Sequence, residues 1–264
     1  MSVILQTIGK LEYWTAEGIA VPHGFTTRLG GVSQGYLDSL NIGSNRGDDP
    51  ANVAKNYAIL GDALGFAQGD LVLTRQVHGD TVRVVTKADH VSLDHHQYPE
   101  CDALVTRDPG TALVVFTADC TPILLHDPVT GAVGAIHAGW RGTALDIAGK
   151  TVETMVAAFG CRPENIRAAI GPNLATCCFE THGDVPAAML ATFGREAEPF
   201  ITPKGEKFYV NLKGINTHAL GRRGVKQVDI SGECTMCSHH RYWSHRFTGG
   251  VRGSQGAIIV CKEA

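Results

Sequence analysis

The chain has no excess of positive charge, no long apolar run, no internal repeat and no linker rich in Pro, Gly and Ser. Each absence removes a class of function. Lysine and arginine number 23 against 26 acidic residues, a formal net charge of −3, so no basic field invites nucleic acid or an anionic membrane surface. No stretch approaches the about 18 to 20 apolar residues of a membrane-spanning helix. The first residues carry no basic segment followed by a long apolar one, which argues against an export signal. Hydrophobic residues at 44% and charged residues at 19% are ordinary for a folded protein. The expectation is a cytoplasmic protein folded as one domain over residues 1–264, with a small-molecule partner rather than nucleic acid or membrane. A local basic pocket for a small anion remains compatible with this balance.

What the chain does have is cysteine, histidine and glycine. Its 8 cysteines invite a disulfide reading, but a chain of this length needs no staples, and no export signal is visible. Reduced thiols are expected, with some free for metal binding or catalysis.

The pattern of apolar residues places helices at Ala51 to Leu64, Thr143 to Phe159, Val185 to Phe193 and Leu212 to Arg222, from recurrence at helical spacing. Short β-branched runs predict strands at Leu71 to Val77, Thr81 to Thr86, Thr111 to Thr117, Pro122 to His126, Ala132 to Ile136, Arg167 to Ile170 and Gln255 to Val260. A further strand ends at His23-Gly24-Phe25. Gly79-Asp80 reads as a tight turn joining the two strands on either side of it. Strands and helices interleave without a strict βαβ rhythm. The fold class is therefore α+β, a mixed β-sheet core flanked by helices.

Three segments place a reactive side chain at the end of an apolar strand beside a break. They are Gln76-Val77-His78-Gly79, Ala118-Asp119-Cys120-Thr121-Pro122 and His137-Ala138-Gly139-Trp140-Arg141-Gly142. Strand ends feeding loops are where a rigid scaffold presents catalytic groups. One cysteine and two histidines suit a catalytic zinc that keeps its fourth position open. The same trio also suits a metal-free thiolate nucleophile activated by histidine. Their separation in sequence matches no local zinc signature, so the residues alone leave both chemistries open.

These segments, with Gly171-Pro172, closely resemble the YfiH family, also known as the multicopper polyphenol oxidoreductase or laccase-domain family and as the peptidoglycan editing factor family. The likeness runs through His23 to Arg28, Asn41-Ile42-Gly43, Gly47-Asp48-Asp49, Cys101 to Thr106 and Cys177-Cys178-Phe179-Glu180. The resemblance implies a YfiH-like α+β fold related to cysteine–histidine hydrolases, and a metal centre on His78, Cys120 and His137, usually zinc. It implies phosphorolysis of adenosine, inosine, guanosine and methylthioadenosine, with nucleoside and phosphate as the small-molecule partners, and deamination of adenosine. Copper-dependent oxidation of phenols and editing of peptidoglycan precursors are the alternatives it carries. The chain departs from the family pattern where Gly253-Ser254-Gln255 replaces Gly-Arg-Gln, which leaves Arg246 or Arg252 as the candidates to replace an anion contact from that strand.

The supporting residues have two readings each. Asp119 either acts as a general acid/base or ligand-orienting group, or caps the next turn; as the neighbour of Cys120 on a strand it points to the opposite face. Arg28, Arg46 and Arg141 lie in glycine-rich loops and are the candidates to bind phosphate, Arg141 foremost. Trp140 either stacks on a purine or packs on the sheet. Cys234, Cys237, His239 and His240 offer too little chain between pairs for a closed zinc site. They are expected to be structural thiols and solvent-facing histidines, and only one of the neighbours Cys177 and Cys178 is expected to face any one site. No His-x-His pair exists, and His90, His95 and His96 fall in a polar loop, so a single Cys/His₂ centre favours zinc over a set of laccase coppers.

Overall fold

The structure, a computed structural model, describes residues 2–93 and 98–263; His95 and His96 lie outside the described residues. Two six-stranded sheets form the centre. The first runs, in spatial order, Val3–Ile8, Leu11–Ala16, His23–Thr26, Gln255–Val260, Ala112–Thr117 and Leu71–Val72. The second runs Gln227–Ile230, Arg167–Ile170, Thr121–His126, Val133–Ala138, Ala103–Thr106 and Val82–Val84. Most neighbours are antiparallel, but Leu71–Val72 is parallel to Ala112–Thr117, Val82–Val84 to Ala103–Thr106 and Gln227–Ile230 to Arg167–Ile170. A small antiparallel sheet of Glu180–Thr181, Lys207–Val210 and Ile201–Lys204 completes the β-structure.

Why the strands read as continuous apolar runs rather than alternating ones follows from the layering. Side chains on successive strand residues face opposite ways, and both faces of the central strands of both sheets are covered. Leu113, Val115, Ala257 and Ile259 of the first sheet meet Leu104, Leu124, Val133 and Ala135 of the second in one buried cluster. On the outer face of the first sheet, Val114, Ile258 and Val260 pack against Val53, Tyr57, Leu60 and Leu64 of the helix Pro50–Leu64. On the outer face of the second, Val105, Ile123, Leu125 and Ile136 pack against the helices Ile147–Phe159, Asp184–Phe193 and Leu212–Arg222. The expected mixed-sheet core flanked by helices is present, but as two stacked sheets with helices outside each.

The helix Pro50–Leu64 begins where Asp49 accepts the Ala51 N–H at 2.9 Å and stops at Gly65, φ 72°; these are an N-cap and a left-handed C-cap. The single helix expected over Thr143 to Phe159 is instead two, Trp140–Ala144 and Ile147–Phe159. Asp146 separates them. It adopts φ 60° and accepts the Gly149 N–H at 3.2 Å, so a fresh helix starts there, and Arg223 pairs with its carboxylate at 2.8 Å. The expected strands Leu71 to Val77 and Thr81 to Thr86 shrink to Leu71–Val72 and Val82–Val84, and they lie in different sheets. The chain between them is a crossover rather than a hairpin turn. No helix among the described residues is long and apolar enough to cross a membrane.

Candidate active site

Topology brings the three expected ligands together. Two stretches of chain pass from the first sheet to the second: residues 73–81, carrying His78, and residues 118–120, carrying Cys120. Because Leu71–Val72 runs parallel to Ala112–Thr117, both passages leave the first sheet at the same end. His137 arrives from the second sheet, opposite Pro122 in the antiparallel register that places Ala138 beside Thr121. The ligand atoms of His78, Cys120 and His137 all lie within 4.8 Å of one another. Cys120 Sγ is 3.8 Å from His78 Nε2, and the two imidazole rings meet edge-on with centroids 4.9 Å apart.

A fourth residue holds the arrangement, and sequence reasoning assigned it no role. Asp102, fully buried, accepts the backbone N–H groups of Val77, His78 and Gly79 at 3.1, 3.0 and 2.8 Å. The same carboxylate pairs with His137 Nδ1 at 2.8 Å. One side chain thus fixes the backbone under one histidine and the ring of the other, leaving His137 Nε2 for the site. The antiparallel register of Ala103 with Ile136 sets Asp102 beside His137, whose N–H donates to the Asp102 carbonyl at 2.7 Å. Its signal in the sequence was a carboxylate immediately before the apolar run Ala103-Leu104-Val105.

His78 and Asp119 both have left-handed backbone, φ 61° and 90°. For non-glycine residues this costs roughly 1–3 kcal/mol each and persists only where surrounding contacts over-determine it. Gln76 helps to supply them, its amide exchanging hydrogen bonds of 2.7 and 2.6 Å with the Phe116 backbone. Gly139 is required by space: a Cβ there would stand 2.8 Å from His78 Cδ2 and 3.2 Å from Cys120 Sγ.

The electrostatics follow from the geometry. Burial alone would raise the Cys120 thiol, but the neighbouring His137 and His78 imidazoles overcome it and bring the thiol down to about 6. Burial would lower His137; the Cys120 sulfur and the Asp102 carboxylate reverse that and hold it up at about 9. Asp102 itself stays below its ordinary range despite burial, because His137 and the Gly79 and Val77 amides favour its anion.

The trio opens onto a cavity of about 510 Å³ whose walls include Arg46, Arg252, Ser254, Phe116 and Tyr98. Arg46 Nε and Arg252 Nη1 both donate to the Ser254 hydroxyl, at 3.1 and 3.3 Å. Neither arginine is ion-paired with a carboxylate among the described residues. Burial lowers Arg46, and burial together with the Arg46 charge lowers Arg252 to about 10. Two guanidinium groups thus face one cavity without a direct carboxylate partner, the Cys120 sulfur and Asp119 being the negative groups that act on Arg252. Ser254, where the family pattern has arginine, therefore bridges two other arginines. Of the two arginines named for that contact, Arg252 lines the cavity, whereas Arg246 donates instead to the Cys178 and Glu180 carbonyls.

The other expected residues do not reach the cavity. Arg141 is exposed and stacks over the Trp140 ring at 4.3 Å. Arg28 lies 3.8 Å over the Trp243 ring and donates to the Asp38 carbonyl at 2.7 Å. Trp140 packs against the core of the second sheet. Asp119 accepts from Thr235 Oγ1 at 2.5 Å and from the Arg246 N–H at 2.6 Å, so both its oxygens anchor the C-terminal loop. It does not cap the next turn in the chain: its partners lie more than a hundred residues further on.

All eight cysteines are free, as expected for reduced thiols. Two expectations about them are corrected. Cys177 and Cys178 do share one site, and Cys234 and Cys237 share it with them, the four sulfurs lying within 4.8 Å of one another. Thr176 to Cys178 form a turn rather than a strand, so adjacent side chains need not point apart. The missing partners of the Cys234/Cys237 pair come from about sixty residues earlier in the chain, not from His239 and His240.

A family model described as Multi-copper polyphenol oxidoreductase laccase matches residues 22–262. The chain is 42% identical over 256 residues to the purine nucleoside phosphorylase of Deinococcus radiodurans, covering 96% of this chain and 94% of that one. It is 34% identical over 225 residues to the purine nucleoside phosphorylase YfiH of Escherichia coli, covering 84% and 86%. The crystal structure of the hypothetical protein YfiH of Bacillus licheniformis superposes with a TM-score of 0.89 at 31% identity, over 98% of this chain and 99% of that chain.

Proposed function

The chain belongs to the multi-copper polyphenol oxidoreductase laccase family and has the fold of its YfiH relatives, and from this premise we propose that it is a zinc-dependent purine nucleoside phosphorylase that also deaminates adenosine. The observation that carries the reading is the meeting, in one cavity, of the His78–Cys120–His137 group with the unpaired cations Arg46 and Arg252.

The donor set fits the metal. His137 has committed Nδ1 to Asp102, Cys120 supplies the single anionic sulfur, and His78 presents Nε2. Three N/S ligands with a cavity on the remaining side are the arrangement of a catalytic zinc, in which a carboxylate–histidine contact orients the ligand. His78, Cys120 and His137 would hold the ion, and when bound it would supply Lewis-acid polarisation of a substrate or water oxygen.

Phosphorolysis asks the protein to desolvate phosphate and align it with the ribose anomeric carbon. Arg46 and Arg252 would do both, since guanidinium binds phosphate bidentately and fixes its orientation. The buried Nε of Arg252 has no hydrogen-bond partner among the described residues. Phe116 and Tyr98 give the cavity an aromatic wall for a purine. Deamination of adenosine would use the same cavity with the purine amino group turned toward the trio.

Copper-dependent phenol oxidation is supported less well. Laccase chemistry needs several coppers, most held by histidine. Among the described residues the metal-capable groups are one His₂Cys set and one all-cysteine set.

The test is product analysis. Adenosine with phosphate should give adenine and ribose 1-phosphate, and without phosphate some inosine. If neither appears while a phenol is oxidised only on addition of copper, the oxidase reading replaces this one.

A further inference from the structure

The second cysteine group lies outside the cavity and plays no part in the proposed reaction. Cys237 Sγ stands 3.6 Å from Cys177 Sγ and 3.4 Å from Cys178 Sγ, and with Cys234 all four sulfurs fall within 4.8 Å. A disulfide would bring two of them to about 2.05 Å. Four thiolates on one zinc, each about 2.3 Å from it and tetrahedral, stand about 3.8 Å from one another. The observed spacing matches the second geometry, and an all-sulfur tetrahedral set selects zinc or iron–sulfur chemistry.

The local backbone is suited to a metal. Cys234 and Cys237 occupy a C-x₂-C turn closed by Ser238 N–H donating to the Cys234 carbonyl at 3.0 Å. The Cys177–Cys178 turn docks on it, because Thr235 N–H donates to the Asn173 carbonyl at 2.9 Å beside the Asn173–Cys234 bridge.

Charge around the group points the same way. A zinc on four thiolates carries a net double negative charge, and two cations stand beside it. Lys213, 8% exposed, donates only to the carbonyls of Ser231 at 2.6 Å and Glu233 at 2.8 Å. A buried ammonium needs a compensating anion, and its bond to the Glu233 carbonyl sets it one residue from Cys234. Arg246 Nη1 lies on the Cys178 and Glu180 carbonyls.

We propose that Cys177, Cys178, Cys234 and Cys237 bind one zinc ion in a closed structural centre that locks the 173–180 segment to the C-terminal loop. Four protein ligands leave no open position, so the ion is structural rather than catalytic. The lock is connected to the active site through Asp119. Thr235, next to Cys234, and the Arg246 N–H hold the Asp119 carboxylate, and Leu174 N–H donates to the Asp119 carbonyl at 2.8 Å. Asp119 immediately precedes Cys120, so the second metal would be a positioning device for the first.

The decisive experiment uses the full chain with Cys120→Ala, which removes the one anionic ligand of the other site and makes the result independent of the purine reading. Protein loaded with zinc and desalted should retain about one zinc per chain. Loaded with cobalt(II), it should show the intense visible bands of tetrahedral cobalt and strong near-ultraviolet thiolate charge-transfer absorption. Adding Cys237→Ser or the exposed Cys177→Ser should abolish both the retained zinc and the thiolate bands, and should lower the thermal midpoint in the presence of zinc. A Cys120→Ala protein that retains no zinc overturns the proposal. So does a disulfide among the four cysteines in freshly purified protein, detected by mass spectrometry without reduction. If Cys237→Ser does not fold, the cobalt spectrum of the Cys177→Ser variant decides.

Discussion

At Cys120 a single thiol faces two imidazoles and is backed by a buried carboxylate, whereas at Cys177, Cys178, Cys234 and Cys237 four thiols face one another. The first group is electrostatically self-consistent without any ion, since thiolate and imidazolium have opposite signs; Cys120 is drawn down to about 6 and His137 is held up at about 9. The second contains only groups that become negative. Burial and its neighbours Cys234 and Cys237 push the Cys177 thiol up to about 11, and Cys178 is pushed higher still. The first group also hangs on a crossover, two strand ends and a buried aspartate, the second on turns near the surface. A preformed site of mixed charge suits an open catalytic centre; a like-charged set on loops has reason to exist only with a cation that holds it together.

The sharpest way to break this contrast is Cys120→Ala. Removing the sole anionic ligand should reduce turnover of adenosine to background while leaving the cysteine-rich group loaded. Retained activity in a protein that has lost that metal would show that the two centres had been assigned the wrong way round.

Asp102→Asn tests whether preorganisation distinguishes the first site. The variant keeps shape but loses the anion shared by the Val77, His78 and Gly79 amides and His137. Changes to such supporting partners typically cost roughly 10–100-fold in metal affinity or activity. Metal titration with a competing chelator should show that weakening at the His₂Cys site and none at the four-cysteine site. Equal weakening at both would mean that Asp102 acts through global stability.

Arg252→Ala should raise the phosphate KM by about 10-fold or more, as a lost charged hydrogen bond worth roughly 1.5–3 kcal/mol implies. It should change phosphate-independent deamination much less. Arg141→Ala, exposed on the Trp140 ring, should change neither. Phosphorolysis kinetics in the two variants side by side separate the cavity arginine from the loop arginine; a larger effect at Arg141 would refute the placement of phosphate.

The smallest effect separates acid unfolding from metal loss. His23 is buried, accepts the Ala16 N–H on Nε2 at 2.7 Å, and is held below its ordinary value by burial. Its neutral form is the native one, so the unfolded chain binds the proton more readily. The stability it contributes is complete above its unfolded value near 6.5 and is lost as pH falls toward its lower folded value. Metal-free protein should therefore lose stability below about pH 6.5, by no more than about 1.4 kcal/mol per pH unit for this one group. His23→Gln should flatten that slope in denaturant titrations, and an unchanged slope would assign the acid sensitivity elsewhere.

Much of the site was legible in single residues. His78, Cys120 and His137 stand where apolar runs break, and a break after a buried strand is a local property that a sequence displays. The helices Pro50–Leu64 and Leu212–Arg222 were legible for a similar reason, since apolar spacing and caps are local. Asp102 was not, because its importance lies in four partners supplied by two other segments. The four-cysteine group was not legible either, since the two pairs lie about sixty residues apart in sequence, and alternation of side chains, assumed for Cys177 and Cys178, fails in a turn.

By itself the sequence determined most of the helices and several central strands, and that three reactive side chains sit where apolar runs break, because burial pattern and chain breaks act over a few residues. The strands Val3–Ile8, Leu11–Ala16 and Ala103–Thr106 went unread, and His78 lies within a crossover rather than at a strand end. Which sheet each strand joins was decided by tertiary structure. The two short strands flanking His78 look like a hairpin and are instead members of opposite sheets. Parallel exit from the first sheet then carries His78 and Cys120 to one point, and the register of the second sheet sets His137 and Asp102 beside them. The choice of arginine followed from the same source: Arg46 and Arg252 share Ser254, from opposite ends of the chain, while Arg28 and Arg141 settle on nearby tryptophans. Charges find their partners by proximity in space, and that proximity is set by packing rather than by position along the chain.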